Sequence, residues 1–324
     1  MRILVCGGAG YIGAHMVKCL AGHGHEITVF DNLASGHRAA VQWGTLVVGD
    51  VLDRAALDAV FALQRHDAVM HFCARSLVGE SVVEPYACYR NNVVGTLTLL
   101  EAMRAAGVDR IVFSSTAAVF GNPVTDPIDE DHPTAPINPY GASKRMCERL
   151  LEDAAVAYGL RAVALRYFNA AGADPAGRIG ESHQPETHLI PNVLRAALGQ
   201  GPALKVFGDD YPTRDGTCVR DYVHVDDLAA AHLAALALMA DRPGFHAFNL
   251  GNGTGFSVRE VIAAAERVSG RRIECASAPR RAGDPPTLVA SGARAREQLG
   301  WRPRYSELDA IIETAWRWHR APAY

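Results

Sequence analysis

Lysine is scarce in this 324-residue chain: Lys18, Lys144 and Lys205 are the only three, among many arginines. So short a supply singles out those positions as places where an ammonium group has particular work. No sign of charge dominates either. The chain has 32 basic and 35 acidic residues, a formal net charge of -3, and no run of like charges. That excludes a basic footprint for nucleic acid and a charged tail or membrane patch. Long hydrophobic runs are also missing, since nothing approaches the roughly 20 apolar residues that span a bilayer. The alanine-rich stretch Leu228–Met239 is broken by His232. The opening run Met1–Val5 meets glycines at once, so it is too short for a signal peptide and reads as a first buried strand. The seven cysteines are scattered, odd in number and without a C-x-x-C, which reads as free thiols in a reducing cytoplasm. The thirteen histidines show no H-E-x-x-H, and no metal site is expected.

What is present is alternation. Ile3–Cys6, Ile27–Phe30, Leu46–Val48, Ala68–His71, Ile111–Ser114 and Ala162–Arg166 read as buried strands. Helical stretches fall near Tyr11–Ala21, Arg54–Leu63, Val82–Ala106 and Tyr140–Tyr158. Apolar strands alternating with helices predict a parallel, doubly wound sheet. After about Gly172 the texture becomes rich in glycine, proline and polar residues. The expectation is a dinucleotide-type α/β domain over 1–173 and a smaller α/β substrate domain over 174–324. Within the latter, 221–250 is expected to return to the first domain as a strand and a helix on its sheet.

Gly7, Gly10 and Gly13 follow the first strand in G-x-x-G-x-x-G spacing and open a helix. Glycine there permits a tight turn and the close approach of a pyrophosphate, which the helix N-terminus then favours. Asp31 ends the second strand, where a carboxylate accepts ribose hydroxyls and repels an added phosphate. This is a Rossmann-type arrangement favouring NAD over NADP, although His37 and Arg38 stand close enough to serve a 2′-phosphate. Asp50 follows the third strand, where an adenine amino group would lie.

Tyr140 and Lys144 stand four apart at the start of a helix after Pro139, so they share one face. A cation near a phenol favours the phenolate, and the spacing predicts a Tyr140 pKa lowered enough to take a proton from a hydroxyl near neutral pH. Thr116 ends the fifth strand, at the carboxyl edge where ligands bind in such sheets. Its hydroxyl can share a substrate oxygen with Tyr140, while Ser114 and Ser115 are expected to cap the turn that follows.

Glycine turn, strand-end hydroxyl and Y-x-x-x-K, in that order, resemble the extended short-chain dehydrogenase/reductase family. The stretches GGAGYIGAH, FDNLASGHR, NNVVGTLTLLEAM, FSSTAAVFG, PYGASK, LRYFNAAGADP, THLIP, GTCVRDYVHVDDLA, FNLGNG and APRRAGD resemble its UDP-glucose 4-epimerase branch over almost the whole length. The resemblance implies a cytoplasmic homodimer acting on a UDP-sugar, with NAD held by each subunit and no nucleic acid or membrane partner. It implies cofactor contacts from Tyr11, Ile12, Asp31, Asn32, Leu33, Ala34, Ser35, Gly36, Asp50, Val51, Phe72, Cys73, Ala74, Ser76, Asn91, Lys144 and Phe168. Substrate contacts would come from Thr116, Tyr140, Asn169, His188, Leu189, Lys205, Val206, Phe207, Arg220, Arg281, Asp284 and Leu288. Arg220 and Arg281 can clamp a diphosphate, Asp284 can accept ribose or uracil donors, and Phe207 can stack on uracil.

The chain departs from the family pattern in places. It has Cys6 where threonine is frequent, Phe120 for tyrosine, Thr116 for serine, and Ser76 where some relatives carry lysine. Leu288 matches a position that limits the sugar's C2 substituent, and its intermediate size favours glucose and galactose without barring N-acetylhexosamines. Ala117 and Ala118 follow Thr116 where dehydratases resembling this chain carry an Asp-Glu pair. Elimination needs that extra acid and base, so hydride and proton transfer alone are implied.

Overall fold

The computed structural model describes residues 1–201, 203–281 and 284–324. Its elements, in chain order, begin β1 (Arg2–Cys6), α1 (Tyr11–Gly22), β2 (Glu26–Asp31), β3 (Thr45–Val48), α2 (Arg54–Leu63) and β4 (Ala68–His71). There follow α3 (Val78–Val83), α4 (Pro85–Tyr89), a π-helical turn (Arg90–Val94), α5 (Gly95–Ala105), β5 (Arg110–Thr116), α6 (Pro139–Tyr158) and β6 (Arg161–Tyr167). Next come β7 (Asn169–Ala171), α7 (Leu189–Ala197), β8 (Leu204–Phe207), β9 (Val219–Arg220), β10 (Tyr222–His224), α8 (Val225–Asp241) and β11 (Phe245–Leu250). The chain ends with β12 (Phe256–Ser257), α9 (Val258–Ser269), β13 (Cys275–Ala278), β14 (Thr287–Leu288), α10 (Ala293–Gln298) and α11 (Leu308–Arg320).

Seven parallel strands form one sheet in the order β11-β6-β5-β4-β1-β2-β3. Both faces are covered, which is why its strands read as continuous apolar runs. On β1, Ile3 and Val5 face a core built with Met16, Val17 and Leu20 of α1 and Leu228 and Ala235 of α8. Leu4 and Cys6 face the opposite core, with Leu57 and Val60 of α2, Leu99 of α5 and Leu151 of α6. The six strands read from the sequence are all in this sheet.

Two expectations change. Val82–Ala106 is not one helix but α3, α4, the π turn and α5. Pro85 has no amide hydrogen to continue α3 and biases Glu84 away from helical geometry. The strand expected after Asp221 does not join the large sheet either: β10 pairs with β7 in a separate two-stranded ladder. From the same stretch α8 does pack on the large sheet, and the later β11 completes its edge beside β6.

A second apolar core holds α7, α9 and α11 together through Val193, Leu194, Val261, Ile311, Ile312 and Trp316. Short ladders hang from it, β13 on β8 and β12-β9-β14. A hydrogen bond and an ionic cluster fasten α1 to the later chain: His15 Nδ1 lies 2.9 Å from Asp226, and Lys18 donates to Asp174 and Asp226 at 2.8 and 2.9 Å. Among the described residues no helix is long and apolar enough to cross a membrane.

Candidate active site

Strand order reverses at β1, with β2 on one side and β4 on the other, so a crevice opens at their carboxyl ends. The three glycines line it for different reasons. Gly7 has φ +83°, and a Cβ there would lie 2.7 Å from the Cys73 nitrogen. At Gly13 a Cβ would meet the Gly7 carbonyl oxygen at 2.1 Å, so only glycine lets α1 sit against the turn. Gly10 is the open one: its nearest neighbour would be that same oxygen at 3.5 Å. It begins α1 with no side-chain cap and no acidic residue in the first turn. The start of α1 therefore offers N–H groups and a positive dipole end to an anion, in a cradle without side chains. A pyrophosphate fits it.

Asp31 links this turn to the next loop. One carboxylate oxygen accepts from Ala9 N at 2.9 Å and the other from Leu33 N at 2.8 Å. Burial raises its pKa against the pull of those two bonds. The loop Asn32–Gly36 then folds over the glycine turn. Gly36 leaves no room for a Cβ beside Ala9, and His37 N donates to Ala9 O at 2.9 Å. Leu33 has φ +59°, the only non-glycine positive φ among the described residues. That costs about 1 kcal/mol and is typical of backbone held for a purpose. Asn32 donates to Asp50 at 2.9 Å, bringing those two expected cofactor contacts together. His37 is not free for a second phosphate: its Nε2 lies 2.8 Å from Ser182 O and its ring stacks on Tyr324.

Asn138 caps α6 by accepting from Gly141 N at 2.8 Å, and Pro139 sits where a missing amide hydrogen does no harm. This cap delivers Tyr140 and Lys144 to the end of β5. Lys144 is 1 % exposed, donates to the Ser114 carbonyl at 2.7 Å and lies 4.7 Å from the Phe113 ring centre. Burial pushes its ammonium down to about 8. Burial pushes the Tyr140 phenol up to about 12, against the lowering effect of the Thr116 hydroxyl. The direction is opposite to that expected from the Tyr-Lys spacing. Desolvation outweighs the Thr116 hydroxyl, while the Lys144 ammonium is turned toward a backbone carbonyl and does not count among the causes. Thr116, not Ser114 or Ser115, caps the following turn, accepting from Ala118 N at 3.1 Å. Ser114 bonds Tyr167, and Ser115 donates to Glu148 at 2.7 Å, itself held by Nε and Nη2 of buried Arg166 at 2.8 Å.

The loop Phe72–Ser76 after β4 forms the wall facing α6. It is held by Asn92, which sequence reasoning missed in favour of Asn91. Asn92 accepts from Arg75 N at 2.8 Å, donates to Arg75 O at 3.1 Å and donates to Ser143 Oγ at 2.9 Å. Asn91 donates to it at 2.9 Å. The π turn aims both asparagines inward, and such turns recur at functional sites. Ile12 packs in the core under α1, buried Val51 lies against Gly95, and Ser76 is exposed.

On the substrate side, Leu288 and Phe168 pack together on Val119, Phe120 and Ile128, just past Thr116. Leu288 pairs in register with Arg220, and Arg220 makes an ion pair with Asp284. Arg281 lies 4.0 Å over the Phe207 ring. The expected diphosphate clamp and uracil shelf are thus satisfied by one another in the free protein. On β8, Lys205 is exposed whereas the Val206 side chain is buried, so contact from Val206 would come through its backbone. Asn169 donates to Asp221 O at 3.0 Å. Asp221 itself ties no arginine; it accepts from Asn252, Gly253 and Ala290 N. His188 and Leu189 open α7, but the His188 ring turns to Glu186 at 2.7 Å. There Glu181, His183, Glu186 and His188 converge, although no metal site is expected from the sequence. The only sequence signal was the doubled Glu-x-His, in no familiar ligand spacing.

Comparisons with known proteins bear on the family and the fold. A family model described as the NAD dependent epimerase/dehydratase family matches residues 3–251. A UDP-glucose 4-epimerase of Rhizobium meliloti (strain 1021) is 55% identical over 318 residues, covering 98% of this chain and 97% of that protein. A crystal structure of a UDP-glucose 4-epimerase superposes with a TM-score of 0.97 at 50% identity, covering 99% of this chain and 98% of the other. The Brucella ovis UDP-glucose 4-epimerase in complex with NAD superposes at 0.95 with 51% identity, covering 97% of each.

Proposed function

The chain belongs to the NAD dependent epimerase/dehydratase family, and from that premise we propose that it is an isomerase, a UDP-glucose 4-epimerase interconverting UDP-galactose and UDP-glucose through a 4-keto sugar. The observation that carries this reading is Thr116 at the carboxyl end of β5, its hydroxyl acting to lower the Tyr140 phenol, with only Ala117 and Ala118 beyond. The site can move one proton at one oxygen and holds no second acid–base pair there for elimination.

NAD is held between the start of α1, Asp31 with the loop Asn32–Gly36, Asp50 and Val51, the loop Phe72–Ser76, Asn91, Lys144 and Phe168. When bound it supplies a reversible hydride acceptor, so no net oxidation results. Thr116 and Tyr140 grip the 4-hydroxyl, and Tyr140 takes its proton and later returns it. The phenol begins protonated, with its pKa pushed up to about 12. It must be helped by positive charge in a site that desolvation has made dry, where charge acts strongly. Lys144 has three donors and gives one to Ser114 O; the others remain for Tyr140 and the cofactor ribose. Arg220, Arg281, Asp284 and Phe207 exchange their mutual contacts for the diphosphate and uridine. That binding energy holds the keto sugar while it turns over. Leu288, next to the Thr116 turn, limits the C2 substituent and favours glucose and galactose.

The test is Tyr140→Phe with UDP-galactose as substrate, products separated by chromatography. Loss of the general base lowers turnover about 10²- to 10⁴-fold without unfolding. Turnover by Tyr140→Phe at the wild-type rate, or no epimerisation of UDP-galactose by the wild type supplied with NAD, overturns the reading. We further propose a cytoplasmic homodimer formed through α3–α5 and α6. All seven cysteines are free, as a reducing compartment requires. Val83, Tyr86, Val94 and Leu97 of the first segment, and Met146 and Val156 of α6, are exposed apolar groups that suit such a contact.

A further inference from the structure

Between the Asp174 turn and α7 the chain makes an irregular loop, and along it Glu181, His183, Glu186 and His188 turn toward one point. One donor atom from each lies within 4.8 Å of all the others. The two imidazole rings are 5.6 Å apart. The carboxylates have no Lys or Arg partner among the described residues; their ion pairs are with His183 and His188 alone. One oxygen of Glu186 accepts from Thr187 N at 2.7 Å and His188 N at 2.8 Å. Its other oxygen is buried with no hydrogen-bond partner, although the side chain is 0% exposed. An ionised oxygen left bare in the interior is costly unless a cation meets it.

We propose that Glu181, His183, Glu186 and His188 bind a single divalent cation of the zinc class. Two imidazoles and two carboxylates, with no thiolate, are a zinc donor set, and bonds of about 2.0–2.2 Å place tetrahedral donors about 3.4 Å apart. Closure asks the widest pair to approach by no more than about 1.4 Å, within the reach of side-chain rotation. The +2 charge cancels both carboxylates and gives the bare Glu186 oxygen its partner. Four protein donors leave no open position, so the ion is structural.

What it would fasten is visible in the neighbours. Trp318 donates its indole N–H to Glu181 O at 2.8 Å, and Gly180 N donates to Tyr324 Oη at 3.2 Å. His188 is the residue from which α7 starts. A narrow cleft joins Glu181 and His183 to Tyr11 and Ser35. The ion would therefore pin the loop between α11 and the start of α7, beside the cofactor loops, and leave one His188 nitrogen for other contacts. No step of sugar chemistry enters, so the site stands or falls apart from the proposed activity.

The experiment is zinc binding by the full-length protein, stripped with a chelator and returned to Zn²⁺ in competition with a chromophoric chelator. We expect one Zn²⁺ per chain, a melting temperature that rises with the metal, and an X-ray absorption shell of nitrogen and oxygen without sulfur. His183→Ala and Glu186→Gln, checked for folding by circular dichroism, should each weaken binding at least about tenfold and lose the thermal response. Should Glu186→Gln not fold, His183→Ala and the wild-type absorption spectrum still decide. Folded wild type that takes up no stoichiometric Zn²⁺ overturns the proposal. So do sulfur in the shell, which would point to a cysteine such as exposed Cys275, unchanged affinity in a folded variant, or displacement of the zinc by millimolar Mg²⁺.

Discussion

At Lys144 an ammonium group is held in a pocket that disfavours charge, over one aromatic ring and against one carbonyl. Its proton leaves near pH 8 in the folded protein but near the ordinary value of 10.5 when the chain unfolds. Between those values the unfolded chain binds the extra proton, so this group makes folding more favourable as pH rises through the window; below pH 8 the buried charge is a standing cost. Lys144→Met keeps the length and removes the charge. We predict that the difference in unfolding free energy, wild type minus variant, shifts in favour of the wild type by on the order of 2 kcal/mol between pH 7.5 and 10. Urea unfolding at both values measures it, and a difference that does not change with pH counts against the buried charge. The other two lysines divide the remaining work: Lys18 bonds Asp174 and Asp226, and Lys205 stays exposed on β8. The scarcity of lysine drew attention to Lys144 but did not show that it would be buried. It gave no hint that the tyrosine beside it would be pushed up, because desolvation depends on what the rest of the chain piles around the pair.

The π turn at Arg90–Val94 shows what element-scale reading captures and what it misses. The six strands of the sheet that were read from the sequence were legible because burial on both faces, in all but the half-exposed edge strand β3, leaves mostly apolar side chains. The helix expected over Val82–Ala106 was legible as helical but not as broken, since a one-residue widening of the turn leaves no periodic trace. Two-residue strands such as β9, β12 and β14 were illegible for a related reason: pairing between distant segments makes them, not their own residues. The consequence of the π turn is Asn92, 2% exposed and bonded to both backbone groups of Arg75. Asn92→Ala leaves the part-buried amide and carbonyl of Arg75 without their partner. It should destabilise the protein by about 2–4 kcal/mol and weaken NAD binding through the loosened Phe72–Ser76 loop. Thermal melts with and without NAD measure both effects, and an unchanged melt in each would show that the loop does not depend on this residue.

For the whole molecule, apolar side chains cluster on the outer face of α3–α5 and on α6: Tyr86 is 87% exposed and Val156 90%. A two-fold axis passing near them would bury both sets at once, since an isologous contact matches a patch with its own copy. We predict a light-scattering mass of about 70 kDa, twice the 34.8 kDa chain. Val94→Arg with Leu97→Arg should reduce it to the single-chain mass while leaving the fold intact. A wild type that runs at one chain mass at micromolar concentration excludes the dimer.

The late return of the chain to its first sheet has a consequence in time. β6 finds its outer neighbour, β11, only about eighty residues further along. At roughly 5–20 residues per second that is about 4–16 s of synthesis. Through that interval β6 is the rim of an unfinished sheet. Its backbone edge is unpaired, and α8, which will cover one face, has yet to emerge. Newly made chains are then open to sticking to one another edge to edge. The sugar-side residues made in that gap are therefore also a delay between the cofactor's sheet and its completion, and the nascent chain must be shielded while they are being added.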